Sequence, residues 1–376
     1  MNVAMLATTP RQRTPWWAWL LAASFLIWAA FGFYNSLMGI GGPGAATSDA
    51  PDGGALIEQV VPGKPMEQAG VRAGDIVVAV NGQAIRSGHD WGEMAWQFES
   101  GNPFVLTVER DGQQMQHTLL FPDRRVWEMR DREQWLDYFL SAALALLYLA
   151  MGLMALFARP RDPGTVAGAV LLLMFSALLG PGSGVGTAAM FRQWPFLLQV
   201  PVFVMSTLLG GYLVLVFAAL YPRPVFRRRW ILPVLLLPAF LVILYNVIRL
   251  YHRFYMPEQA ISPGPPWIFQ LALAVEMTNI LAGLIVLGLG FRRLKEADER
   301  RSLRRVLIAT LISFGAMVVY FWLLSSEPSS RVLRHVYESK ATGFAFLALW
   351  SVFPVVFARE VLRTRSRPAS IIADPQ

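Results

Sequence analysis

The chain has no cysteine and only four histidines in 376 residues. Disulfides, iron-sulfur clusters, thiolate zinc sites and thiol nucleophiles are therefore excluded together. Charge is the second scarcity: 15% of the residues are charged and 55% are hydrophobic, whereas ordinary globular domains carry about 25% charged residues. Much of such a chain must meet something other than water, and lipid is the expected surrounding. The formal net charge of +8 invites a polyanion, yet in a lipid-embedded chain Lys and Arg mark the cytoplasmic connections.

A spanning helix needs about 20 apolar residues. Eight stretches qualify: Trp16 to Leu37, Tyr138 to Ala158, Thr165 to Met190, Pro195 to Tyr221, Trp230 to Ile248, Trp267 to Phe291, Val306 to Ser325 and Ala341 to Ala358. The first is too long and too aromatic for a cleaved leader, and Trp16, Trp17, Trp19 and Trp28 suit a retained anchor. Basic residues fall on alternate connections: Arg11 and Arg13, Arg159 and Arg161, Arg223 with Arg227 to Arg229, Arg292 to Arg305, and Arg359 to Arg367. That asymmetry sets both termini in the cytoplasm. It also argues against nucleic acid as a partner, because the charge is dispersed rather than gathered on one face. The expected fold is mainly α, a polytopic bundle of about eight spans surrounded by membrane lipids, with a small β-rich domain inserted. Its parts are residues 1–38 (N-terminus and first span), 39–134 (extracytoplasmic domain), 135–360 (seven-helix bundle) and 361–376 (cytoplasmic tail).

Within 39–134, β-rich runs Ala55 to Val61, Asp75 to Val80 and Phe104 to Glu109 alternate with Gly, Pro and Asn-Gly turns. Pro65 to Ala69 reads as one or two helical turns, and Asp90 to Phe98 as an amphipathic helix capped by its own Asp. The run Val60 to Gly82, with Pro62-Gly63, Ala69-Gly70, Gly74-Asp75 and Asn81-Gly82 in order, then Arg110-Asp111-Gly112 as a late hairpin turn, resembles bacterial PDZ domains. These are the kind attached to periplasmic serine proteases and site-2 proteases. The glycines permit positive φ at tight turns, so most of this motif concerns folding.

The resemblance implies binding of an extended peptide or protein C-terminus by strand addition. Leu37-Met38-Gly39-Ile40 is the candidate carboxylate loop, whereas Gly41 to Ser48 reads as a poor accepting strand. Trp91, Met94, Ala95 and Phe98 would form the opposite wall. Two readings stay open: Gly39, Ile40, Trp91, Met94, Ala95 and Phe98 line a peptide groove, or the helix simply packs its apolar face on the sheet.

No catalytic motif is found. No His is followed by Glu, so a His-Glu-x-x-His metalloprotease motif is absent, and Gly180-Pro-Gly-Ser-Gly-Val-Gly186 carries Pro181 where a rhomboid-like Gly-x-Ser-Gly needs Gly. Neither a cofactor nor a metal is implied. Glu276 is the one carboxylate deep in a span, with Gln270 and Asn279 near one face and Asn246 and Arg249 as candidate partners. It reads either as a polar ligand site or as an interhelical clamp. A transporter would need repeats or broken helices, and none is evident.

Two cytoplasmic segments, Phe291 to Leu307 and Pro354 to Arg365, are similar to the connection and the exit helix of multi-span sensor histidine kinases. That resemblance implies a sensor or receptor module whose peptide-occupied domain signals to a cytoplasmic kinase or other output protein. A kinase would continue past Arg365 into a phosphoacceptor helix and an ATP-binding domain, so either an output domain has been cut away or a separate partner supplies it. The alternatives are an adaptor for periplasmic proteolysis and, behind it, a transporter or intramembrane protease.

Overall fold

The computed structural model describes residues 14–38, 42–95, 97–99, 101–121, 132–179, 210–225, 266–325 and 340–365, with single helical positions between 234 and 256. After helix α1 (Trp16–Met38) comes a β-domain of six strands: β1 (Ala45–Asp49), β2 (Ala55–Val60), β3 (Ile76–Val80), β4 (Gln83–Ala84), β5 (Pro103–Arg110) and β6 (Gln113–Leu120). Two short helices, α2 (Pro65–Gln68) and α3 (Gly88–Ala95), interrupt them. The sheet runs β1-β2-β3-β5-β6, all neighbours antiparallel, with β4 paired to β3. β1 and β6 are the two edges.

The turn residues build this sheet as the sequence anticipates. Asn81 (φ 48) with Gly82 (φ 78), and Asp111 (φ 52) with Gly112 (φ 75), adopt the paired positive φ that joins strands without splaying them. Inward-facing Ala55, Ile57, Val77, Val80, Leu106 and Val108 form the floor of a core closed by Met66, Trp91, Phe98, Leu119 and Phe121. This core is self-contained. Phe98 is its centre, lying 4.8 Å from the rings of both Phe104 and Phe121 and 5.5 Å from Trp91.

Two local expectations are corrected. β1 forms where Gly and Pro argued against a strand: Gly44 turns the chain at φ +81, its carbonyl takes the Val61 N–H at 2.8 Å, and Ala45 to Asp49 then pair with β2. Backbone pairing overrides weak propensity here. Helix α3 starts at Gly88, not Asp90. Ser87 Oγ accepts the Asp90 N–H at 3.1 Å, and Asp90 reaches back to the Arg86 N–H at 3.0 Å, so Ser87 is the cap and Asp90 its reciprocal partner.

The remaining helices are α4 (Arg132–Ala158), α5 (Pro163–Leu179), α6 (Gly210–Leu220), α7 (Pro266–Arg293), α8 (Ala297–Ser325), α9 (Lys340–Trp350) and α10 (Val352–Arg365). α4 packs on α5, α5 on α6, α6 on α7, α7 on α8, and α8 on α9 and α10; α10 returns to α4. Their core is aromatic: the Phe353 ring meets those of Phe217, Phe314 and Phe357 at 5.6 to 5.7 Å, and Phe217 meets Phe357 at 5.3 Å. Small residues let the helices close up: a Cβ at Gly283 would lie 2.9 Å from the Val214 side chain and 3.2 Å from the Leu215 nitrogen.

The last apolar stretch, read as one span, is broken at Ser351. Pro354 has no N–H to give the Trp350 carbonyl one turn earlier, and the Tyr148 hydroxyl donates to that carbonyl instead, at 2.7 Å. Ser313 is inserted into the next bond of the ladder: its Oγ accepts the Phe353 N–H at 3.0 Å and donates to the Leu349 carbonyl at 2.8 Å.

Among the described residues, three helical segments are long and apolar enough to cross a membrane by length and composition: Phe139–Ala158, Ala274–Arg293 and Ala345–Arg363.

Candidate functional site

Among the described residues, no strand pairs with the outer edge of β1, and helix α3 lies beside it, touching β1 and β2. One end of the channel between them is closed. The Gly88 N–H donates to Asp49 Oδ1 at 2.7 Å, and a Cβ on Gly88 would stand 3.1 Å from the Ser48 carbonyl. Gly92 lies one turn further along the same face, and nothing stands within 4 Å of where its Cβ would be. A channel walled by backbone edge on one side and bare helix on the other is what an added strand requires.

The sequence-derived wall residues fall elsewhere. Trp91 (4% exposed), Ala95 (7%) and Phe98 (0%) are in the domain core beneath the helix, and Met94 is half-buried against that core. Trp91 and Ala95, four residues apart, mark the packed face of α3; the helix ends at Ala95 rather than at the expected Phe98, which enters the core from the loop that follows. Gly39 and Ile40 lie outside the described residues. Gly88 and Gly92 escaped the sequence reading because a glycine carries no hydrophobic signal.

An ion pair fixes the turn that leads into β3. Asp75, 1% exposed, takes Arg110 Nε at 2.6 Å and Nη2 at 2.7 Å, and the Arg72 N–H at 2.8 Å. Burial alone would raise its carboxyl; the Arg110 guanidinium and the Arg72 amide outweigh that and hold it below the usual carboxylate value. Arg110 also ties to the Gly70 carbonyl at 3.1 Å, fixing the turn between α2 and β3.

In the helical body, Glu276 is half-buried on α7, and its Oε2 accepts the N–H of Gly211 in the first turn of α6. A carboxylate there complements the unsatisfied amides and the positive end of the helix dipole. Asn279, one turn on, hydrogen-bonds the Tyr212 hydroxyl. Glu276 Oε1 is buried with no partner among the described residues. Asn246 and Arg249 lie outside those residues, as do Ser183 and the Gln270 side chain. Gly211 and Tyr212 were not anticipated; the Gly210-Gly211 pair was the available hint of a close helix crossing. Among the described residues, no group of three His, Asp or Glu side chains is placed to hold a metal ion.

Comparison with known proteins gives three results. Residues 56–110 match the family model for the PDZ domain. Over 80 residues the chain is 36% identical to HhoB of Synechocystis sp., named as a serine protease, covering 21% of this chain and 18% of HhoB. The crystal structure of the HtrA3 PDZ domain bound to a phage-derived ligand (FGRWV) is matched at 24% identity and a TM-score of 0.19, over 21% of this chain and 81% of that one.

Proposed function

Because residues 56–110 are a PDZ domain, we propose that this chain is a membrane-anchored peptide receptor or adaptor, taking an extended peptide or protein C-terminus between β1 and α3. The observation that carries this is the free β1 edge facing the open Gly92 face of α3. Main-chain hydrogen bonds to β1 supply affinity, and the Asp49–Gly88 contact stops the channel at one end. The expected carboxylate loop, Leu37 to Ile40, precedes β1 in the chain. Gly92→Trp is the test. With nothing within 4 Å of that position, the indole enters the channel without disturbing the core. Binding of C-terminal peptides by residues 39–134 should fall at least tenfold while the unfolding temperature holds; unchanged binding would sink the groove.

The helical body is the anchor in this reading. Leu281 (59% exposed), Ile285 (55%) and Leu289 (45%) form an outward apolar row along α7 at four-residue steps, which supports a lipid-facing surface. The positive-inside asymmetry supports both termini in the cytoplasm and the PDZ domain outside it. Two outputs follow from one binding event. Likeness to HhoB favours an adaptor that delivers clients to a protease. The Arg-rich helix α10 favours signalling to a cytoplasmic partner. Crosslinking in native membranes separates them by what is captured on α10 when peptide is bound.

A further inference from the structure

We propose that a polar pocket at one end of the helical body is a binding site for a small zwitterion carrying a primary ammonium and an anionic phosphate. The pocket holds about 130 Å³ and is assembled from four places in the chain: Arg159 and Asp162 between α4 and α5, Tyr221 after α6, Glu299 and Ser302 on α8, and Glu360 on α10. Most of its charges are already satisfied. Glu360, 2% exposed, is held by Arg305 Nε at 2.6 Å and Nη2 at 3.0 Å. Asp162 caps α5 through the Thr165 N–H at 2.9 Å. The Ser302 hydroxyl links the Tyr221 hydroxyl to Glu360 and completes a polar floor.

Two valences are left. Glu299 Oε1 accepts Arg223 Nη2 at 2.9 Å, but its Oε2 is buried with no hydrogen-bond partner among the described residues. A buried carboxylate oxygen left without a donor is unfavourable, so the site asks for a compact cationic donor. Arg159 lines the same pocket and makes no ion pair among the described residues, and its planar guanidinium asks for an anion. A ligand with an ammonium for Glu299 and a phosphate for Arg159 answers both. Inorganic phosphate or a nucleotide answers one and meets the carboxylates of Asp162, Asp298, Glu299 and Glu360.

The source of this chemistry is either an aminophospholipid headgroup or a free solute. The pocket lies among the arginine-bearing connections that the membrane reading places at the lipid headgroups; only the lipid source rests on that reading.

The full chain, purified in micelles, is titrated with O-phosphoethanolamine while its unfolding temperature is followed, with ethanolamine and inorganic phosphate as separate probes. The chain in nanodiscs is compared with and without phosphatidylethanolamine, against phosphatidylglycerol. A saturable rise with O-phosphoethanolamine supports the site whatever the topology; a rise confined to phosphatidylethanolamine nanodiscs supports it with lipid as the source. Glu299→Gln and Arg159→Gln should each weaken binding about tenfold or more, with the ligand-free unfolding temperature as the folding control. If a variant does not fold, the probe comparison on the unaltered chain decides. No stabilisation by either zwitterion, an equal response to phosphate alone or to phosphatidylglycerol, or unchanged binding in two folded variants would overturn the proposal.

Discussion

Asp75 stands one residue before β3, almost wholly shielded from water, and accepts three donors. Its depressed carboxyl sets the sign of the domain's pH dependence. The stability it contributes is fully present above the ordinary value of 3.8 and is lost as pH falls through the lower folded value. Asp75→Ala in residues 39–134 should cost about 2 kcal/mol at neutral pH, since charge-assisted bonds are lost and the Arg72 amide is left bare. It should also flatten the acid limb of the unfolding curve; an unchanged limb would mean that another carboxylate carries it. Gly74-Asp75 was legible in the sequence as a turn, because glycine at φ 92 has few substitutes. The carboxylate's partner was not: Arg110 lies 35 residues away, and no local pattern reports such a pairing.

At the scale of elements, strands with strong β-branched character declared themselves, and β2, β3 and β5 fall within about a residue of their expected ends. β1 did not, since Ala45-Ala-Thr-Ser-Asp49 has no apolar alternation and owes its form to pairing with β2. The proposed peptide groove was illegible for a related reason: the walls assigned to it are backbone and glycine, while Trp91 and Ala95 of α3 are core. The break between α9 and α10 was half legible. Pro354 announces a lost bond, but only the fold reveals that Tyr148 and Ser313 supply replacements. Tyr148→Phe should cost about 1 kcal/mol, by removing the shorter of two hydroxyl hydrogen bonds to the Trp350 carbonyl, which keeps Ser313 Oγ at 3.3 Å. Ser313→Ala should straighten the pair, because the Phe353 N–H and the Leu349 carbonyl can then meet directly. Distances between spin labels on α9 and α10 would show this; an unchanged angle would assign the bend to Pro354 alone.

For the whole molecule, the described residues hold a compact β-domain with its own core and a larger cluster of buried residues in the helices. The positive charge acquires meaning only through its position, as a proposed topology signal rather than an affinity for polyanions. The absence of cysteine makes that topology unusually easy to test. A single cysteine at the exposed Gln83 should react with a membrane-impermeant maleimide in intact spheroplasts, and one at Arg301, 67% exposed near the start of α8, only after permeabilisation. The reverse pattern would invert the proposed orientation.

The central claim is that peptide adds as a strand to the free edge of β1, and hydrogen exchange of the full chain tests it most directly. With a C-terminal peptide bound, amides of Ala45 to Asp49 should slow at least tenfold while those of the opposite edge, Gln113 to Leu120, stay as they are. Protection that falls on Gln113 to Leu120 instead, or nowhere in the β-domain, would contradict it.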